Sequence, residues 1–289
     1  FLMSSVLQEC GFPPETIRTC LDRRADTEGI LSRLRWLLDE TGPGDELVFY
    51  FSGHGARIPE YGECFEPDHH VEALVPWDFD WSREKAITDD QIYCLYAQLP
   101  YEARLMMIFD CCHSGGIHRD GAARARGITP PDDVRHRELK WDRKTQMWVP
   151  RDFRRINEKF TREKDVAVSY FGQSGTNERL GRAGMLRGLS SAQYDALKKV
   201  DPEMAKGPYL PLIIEACGEE QLSYEYRHGA TSYGAFTYSL ASVLRRERSI
   251  SFTDLVRKTR EQLADLQYDQ VPQILGPTAV MESKVPLLR

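Results

Sequence analysis

Apolar residues at positions 30, 31, 34, 37 and 38 recur three and four places apart, the spacing of one face of a helix. The pattern predicts an amphipathic helix over residues 27–40, with Asp26 or Thr27 able to cap its start and Gly42-Pro43 to end it. Residues 1–10 read as the tail of another helix, closed by Gly11 and the Pro13-Pro14 pair. A short, unbroken apolar and aromatic run follows at 46–51, with glycine on both sides. It reads as a buried strand that delivers Ser52-Gly53-His54-Gly55 at its carboxyl end. A loop rich in Pro, Glu and His then leads to a brief strand at 73–76 and a helix at 92–99. A second buried strand at 105–109 ends on Asp110-Cys111-Cys112-His113-Ser114-Gly115-Gly116.

From 117 to about 164 the pattern changes. The text is charged, broken by Gly127 and Pro130-Pro131, and poor in strand signals, so it reads as an insertion or linker. Beyond it, strands are expected at 166–171 and 210–217, amphipathic helices at 234–246 and 252–266, and a last strand at 271–275. Strands alternating with helices call for a mostly parallel sheet covered on both faces.

Composition sharpens this. With 289 residues and 41% hydrophobic content the chain can bury a substantial core. Its net charge of −6 argues against general nucleic-acid affinity, and no apolar run reaches the roughly 18 residues of a membrane span. The charge is uneven. Residues 118–165 hold 14 Lys/Arg against 9 Asp/Glu, so a basic segment is set into an acidic body. Seven cysteines, odd in number and without a CxxC pair, do not make a disulfide framework and point to a reducing, cytoplasmic setting.

Two buried strands thus end in reactive residues, and parallel sheets bind ligands at their strands' carboxyl ends. Cysteine attacks as its thiolate, and a nearby imidazole can take the proton. His54 and Cys112 are the candidates, with Cys111 and His113 as rivals beside the latter. Strand alternation puts Asp110 and Cys112 on one face and Cys111 on the other, a tendency that weakens where the strand becomes a turn. Asp110 shares the thiol's face and can pair with a guanidinium, and Ser52 can line the same pocket. Asp110 could instead merely cap or brace the turn. Asp89-Asp90 could simply cap the helix that follows. Cys64, His69 and His70 lack a second Cys/His pair at ligand spacing, which makes zinc a poor reading.

The Ser52–Gly55 and Asp110–Gly115 motifs together resemble those of metacaspases and bacterial caspase homologues. Ala25 to Leu38, Gly44-Asp45, Ile87 to Asp90, Ala216 to Gln221, Gly234 to Thr237 and Gln270 to Gln273 also fit that family's pattern. The resemblance implies an α/β, caspase-like three-layer sandwich with a mostly parallel central sheet and helices on both faces. It implies hydrolysis of peptide bonds after Arg or Lys in protein substrates through a thioester. Cys112 and His54 would act as a dyad, the backbone N–H groups of Gly55 and Cys112 as the oxyanion site, and Asp110 and Ser52 as the substrate pocket. No cofactor is required for the chemistry. Calcium is implied as an activator through Asp89, Asp90 and Asp120, although Val71 stands where the family usually has Asp. The family's first strand would lie upstream of Phe1, to be supplied by an upstream segment or a companion fragment. The organisation expected is a large-subunit-like catalytic part at 1–116, the basic insertion at 117–165 and a small-subunit-like part at 166–289. The insertion is either a solvated surface loop or the place where a zymogen cuts itself. A catalytically silent homologue acting as a scaffold is the competing reading of the whole chain.

Overall fold

A computed structural model describes residues 1–59, 70–96, 99–100, 102–111, 128, 139–150, 209–217, 223–228, 231–247 and 249–286. Helix α1 spans Leu2–Glu9 and α2 spans Thr27–Leu38. The Asp26 carboxylate accepts from the Gly29 N–H at 2.7 Å and so occupies one of the donors left over at the start of α2. Strand β1 is Glu46–Ser52, and one residue later β2 (His54–Pro59) leaves the sheet to pair antiparallel with β3 (His70–Val75), which in turn pairs with β4 (Ile87–Thr88). Helix α3 is Asp89–Tyr96 and β5 is Arg104–Asp110. Strands β6 (Leu139–Asp142) and β7 (Met147–Pro150) form a hairpin. The second half adds β8 (Leu212–Glu215), the hairpin of β9 (Glu225–His228) and β10 (Thr231–Gly234), helices α4 (Ala235–Arg246) and α5 (Phe252–Asp265), and β11 (Gln273–Leu275).

The central sheet runs β1-β5-β8-β11, with β1, β5 and β8 parallel and β11 antiparallel at its edge. Its two faces carry separate cores. Val48, Tyr50, Met106, Ile108, Leu212 and Ile214 pack with residues of α1, α4 and α5 such as Val6, Phe236 and Phe252. Leu47, Phe49, Leu105, Met107, Phe109 and Ile213 pack with residues of α2 and α3 such as Leu34 and Tyr96. Even-numbered positions of β1, β5 and β8 therefore face α4 and odd-numbered positions face α2, the alternation of a strand buried on both sides. The result is the expected three-layer α/β arrangement.

Several local expectations need correction. Residues 54–59 are a strand rather than the start of a loop: Ala56 and Ile58 are buried and Arg57 is exposed, an alternation too short to read among Gly and Pro. Helix α3 begins three residues earlier than predicted because Thr88 starts it. The Gln91 N–H donates to the Thr88 hydroxyl at 3.3 Å and the Thr88 N–H to the Gln91 side-chain oxygen at 3.2 Å. This reciprocal capping box leaves Asp89 and Asp90 in the first turn, where negative charge favours the helix dipole. The basic insertion, read as poor in strand signals, contains the β6–β7 hairpin, whose four-residue connection hid it. The β9–β10 hairpin was not anticipated at all. The strand expected at 166–171 lies outside the described residues.

The loop after β3 is anchored by Asp78. Its carboxylate accepts from the Thr27 N–H at 2.7 Å, the Thr27 hydroxyl at 2.9 Å and the Lys85 ammonium at 2.6 Å. Burial pushes this carboxyl's pKa up, but the bonds from Lys85 and Thr27 together outweigh it and hold it at about 2, against an ordinary 3.8. A carboxylate depressed in the folded state stabilises above its unfolded pKa, and that contribution is lost as pH falls through the folded value. Acid titration of the fold is therefore expected to be shallower in Asp78→Asn between about pH 4 and pH 2. Equal slopes in the two proteins would refute the assignment.

Candidate active site

Strands β1 and β5 run in register to their last residues, where Ser52 lies opposite Asp110. The Gly53 N–H donates to the Asp110 carbonyl at 3.3 Å and closes the pair. Both side chains stand at even-numbered positions, on the face toward α4. Ser52 is exposed and Asp110 is fully buried. His54 opens β2 and is half-buried, opposite Val75, and Gly55 follows, buried, opposite Leu74.

Cys111 follows Asp110 directly and is buried in the core against α2 and α3, with Phe109 and Met107. Alternation thus persists one residue beyond the strand, and this thiol points away from the face that holds Asp110. The backbone is tied there from the neighbouring strand: the Ala216 N–H donates to the Phe109 carbonyl at 2.9 Å, and the Cys217 thiol lies 3.8 Å from the Cys111 carbonyl. Cys112 and His113 lie outside the described residues, as do Asp120, Cys64 and His69.

The surroundings of Asp110 are the main structural addition. One carboxylate oxygen accepts from the Ser223 hydroxyl at 2.9 Å. The other accepts from the Thr237 N–H at 3.4 Å and, at short range, from the Thr237 hydroxyl. Tyr50 is 2.8 Å from that same hydroxyl oxygen. Since the Thr237 proton goes to Asp110, the Tyr50 hydroxyl is the donor in this contact. Gly234 occupies the N-cap position of α4 and carries no side chain to cap with. Asp110 takes over that task from a strand 127 positions away, accepting from the third N–H of the helix. A Cβ on Gly234 would fall 1.8 Å from the Asp110 oxygen, so the two positions share one space. Gln270 completes the frame: its amide donates to the Ala216 carbonyl at 3.2 Å and accepts from the Tyr224 N–H at 3.1 Å, fixing the segment that presents Ser223.

Sequence reasoning named Ser52, His54, Gly55 and Asp110 but missed Ser223, Thr237 and Tyr50 as members of this arrangement. Thr237 stood in the Gly234-Ala235-Phe236-Thr237 block without a role. Nothing local links these residues to a strand end more than a hundred positions earlier.

The calcium expectation meets few donors here. Among the described residues no group of three or more His, Cys, Asp or Glu side chains is placed to hold a metal ion. Asp89 is buried at the start of α3 and Val71 is a buried apolar residue of β3. The described part does not by itself form a hard-cation site. Among the described residues no helix is long and apolar enough to cross a membrane.

Comparison with known proteins agrees with this arrangement. Residues 5–119 match the family model described as metacaspase, peptidase C14 domain. Metacaspase-1 of Candida albicans is 24% identical over 254 residues, covering 86% of this chain and 51% of that protein. Metacaspase-3 of Trypanosoma brucei brucei is 25% identical over 283 residues, covering 95% and 60%. A protein named inactive metacaspase-4, from the same trypanosome, is 26% identical over 293 residues, covering 94% and 64%. The chain thus spans about half to two thirds of the length of these relatives. In fold it is similar to protein GSU0716 of Geobacter sulfurreducens, with a TM-score of 0.59 at 20% identity over 99% of this chain and 87% of that one. Residues 5–119 thus match the metacaspase peptidase C14 domain, and over most of its length the chain is similar to metacaspases.

Proposed function

We propose that this chain is a cysteine endopeptidase that cleaves after Arg or Lys, with Cys112 as nucleophile and His54 as its base. The observation that carries the reading is the registered end of β1 and β5. Ser52 lies opposite Asp110, so His54 and Cys112 each follow two residues beyond a paired position. In the proposed step His54 takes the thiol proton, the thiolate attacks the scissile carbonyl, and the backbone N–H groups of Gly55 and Cys112 stabilise the oxyanion. His54 then returns the proton to the leaving amine, and water hydrolyses the thioester. Asp110 and Ser52 receive the basic side chain before the cleaved bond, the carboxylate supplying the complementary charge. No step passes through a metal ion. Seven cysteines, odd in number and without a CxxC pair, suit a reducing, cytoplasmic compartment.

Fluorogenic peptides ending in Arg, Lys or Asp, offered with and without calcium, test this. Hydrolysis after Arg and Lys but not Asp is expected, and preferential cleavage after Asp would overturn the pocket. The second reading, a catalytically silent homologue, is favoured by the similarity to the relative named inactive. Absence of hydrolysis under every condition would select it.

The basic insertion is proposed as the enzyme's own substrate. Its hairpin presents Arg143 and Lys144 exposed in the turn between β6 and β7. Purified protein is expected to accumulate fragments cut after Arg or Lys between residues 117 and 164, whereas Cys112→Ala stays intact by mass spectrometry. Identical intact masses in both samples would exclude self-processing.

A further inference from the structure

We propose that Ser223 and Thr237 are positioning residues for charge recognition, holding the Asp110 carboxylate in the one orientation that meets a substrate's cation. The inference rests on the role given to Asp110 above. An unrestrained aspartate turns about two side-chain torsions, and a carboxylate meets a planar guanidinium well only when its oxygens are correctly aimed. Here one oxygen is held by Ser223 and the other by both the backbone and the hydroxyl of Thr237. The Thr237 hydroxyl is itself oriented by Tyr50 of β1, so the donor direction runs from Tyr50 through Thr237 to Asp110. Gly234 leaves the space that the carboxylate fills. Ser223 and Thr237 both lie beyond the basic insertion, whereas Asp110 and Tyr50 precede it. Charge preference is therefore shared between the two sides of the proposed processing segment, and it persists after a cut only while α4 stays seated on β5.

The test compares kcat/KM for two peptides that differ only before the cleaved bond, one with Arg and one with norleucine. Parent chain, Thr237→Val, Thr237→Ser, Ser223→Ala and Asp110→Asn are assayed. Partial unfolding lowers both rates together and leaves their ratio alone, so the ratio isolates positioning. Thr237→Val is expected to lower the Arg-to-norleucine ratio ~10-fold, the loss of a hydrogen bond to a charged group, chiefly through KM for the Arg peptide. Thr237→Ser keeps the hydroxyl and should restore the ratio, and Ser223→Ala should lower it several-fold. An unchanged ratio in both Thr237→Val and Ser223→Ala, with collapse in Asp110→Asn, overturns the positioning role and leaves the reading of Asp110 standing. An unchanged ratio in Asp110→Asn overturns that reading and this inference with it.

Discussion

Peptide hydrolysis is expected to fall by roughly 10⁴-fold or more in Cys112→Ala, while Cys111→Ala keeps its activity within about threefold. The two neighbours differ through strand geometry. Cys111 continues the alternation of β5 and sits in the core between the sheet and α2 and α3, among Phe109 and Met107. A thiol there cannot meet a substrate at the carboxyl end of the sheet without leaving its packing. Its cost on removal is one of stability, about 1 kcal/mol for a small buried group. In sequence Cys112 follows Asp110 by two residues, as His54 follows Ser52, and Ser52 and Asp110 are paired. Removing the proposed nucleophile would take away the covalent route itself and leave the remaining groups nothing to activate. Steady-state kinetics on both variants, with thermal melts beside them, decide the matter. Full activity in Cys112→Ala, or its loss in a folded Cys111→Ala, would reverse the assignment.

Gly234→Ala is expected to cost about 3 kcal/mol and most of the hydrolysis of Arg peptides. The backbone conformation at Gly234 is ordinary, with φ −65° and ψ 133°, so strain is not the cause. Space is. The added Cβ would stand 1.8 Å from the nearer oxygen of Asp110 and 2.6 Å from its carboxyl carbon. A free side-chain end would swing aside at little cost. This one is bonded to Ser223 and Thr237, and moving it leaves a buried carboxylate and two hydroxyls short of partners. The prediction carries its own control. In Asp110→Ala the space is already empty, so adding Gly234→Ala should cost far less than it does in the parent, a coupling visible in a double-mutant cycle by urea denaturation. Additive losses would show that the two positions do not compete for one space.

The legibility of this protein in its sequence follows the range of the interactions involved. Helix α2 was readable because its five apolar positions and its Asp26 cap are all set within fourteen residues, and β1 and β5 because short apolar runs belong to strands buried on both faces. The same locality failed for β2, where Gly55 and Pro59 mask a short alternation, and for β6 and β7, whose charged neighbours concealed a hairpin. Ser52, His54, Gly55 and Asp110 could be nominated because each stands next to a strand end that chemistry tends to use.

What only the tertiary structure decided is how Asp110 is held. The motif marked it as a residue sharing the face of the presumed thiol. Its burial, its service as the missing cap of α4, and its bonds to Ser223 and Thr237 depend on segments 113 and 127 residues away. Their approach is set by the packing of β8 and α4 on the sheet, a sum of core contacts that no local pattern encodes. By itself the sequence determined α2, β1 and β5 and nominated the reactive residues beside their ends. Long-range packing decided which of those residues is locked, by what, and with how little room to spare.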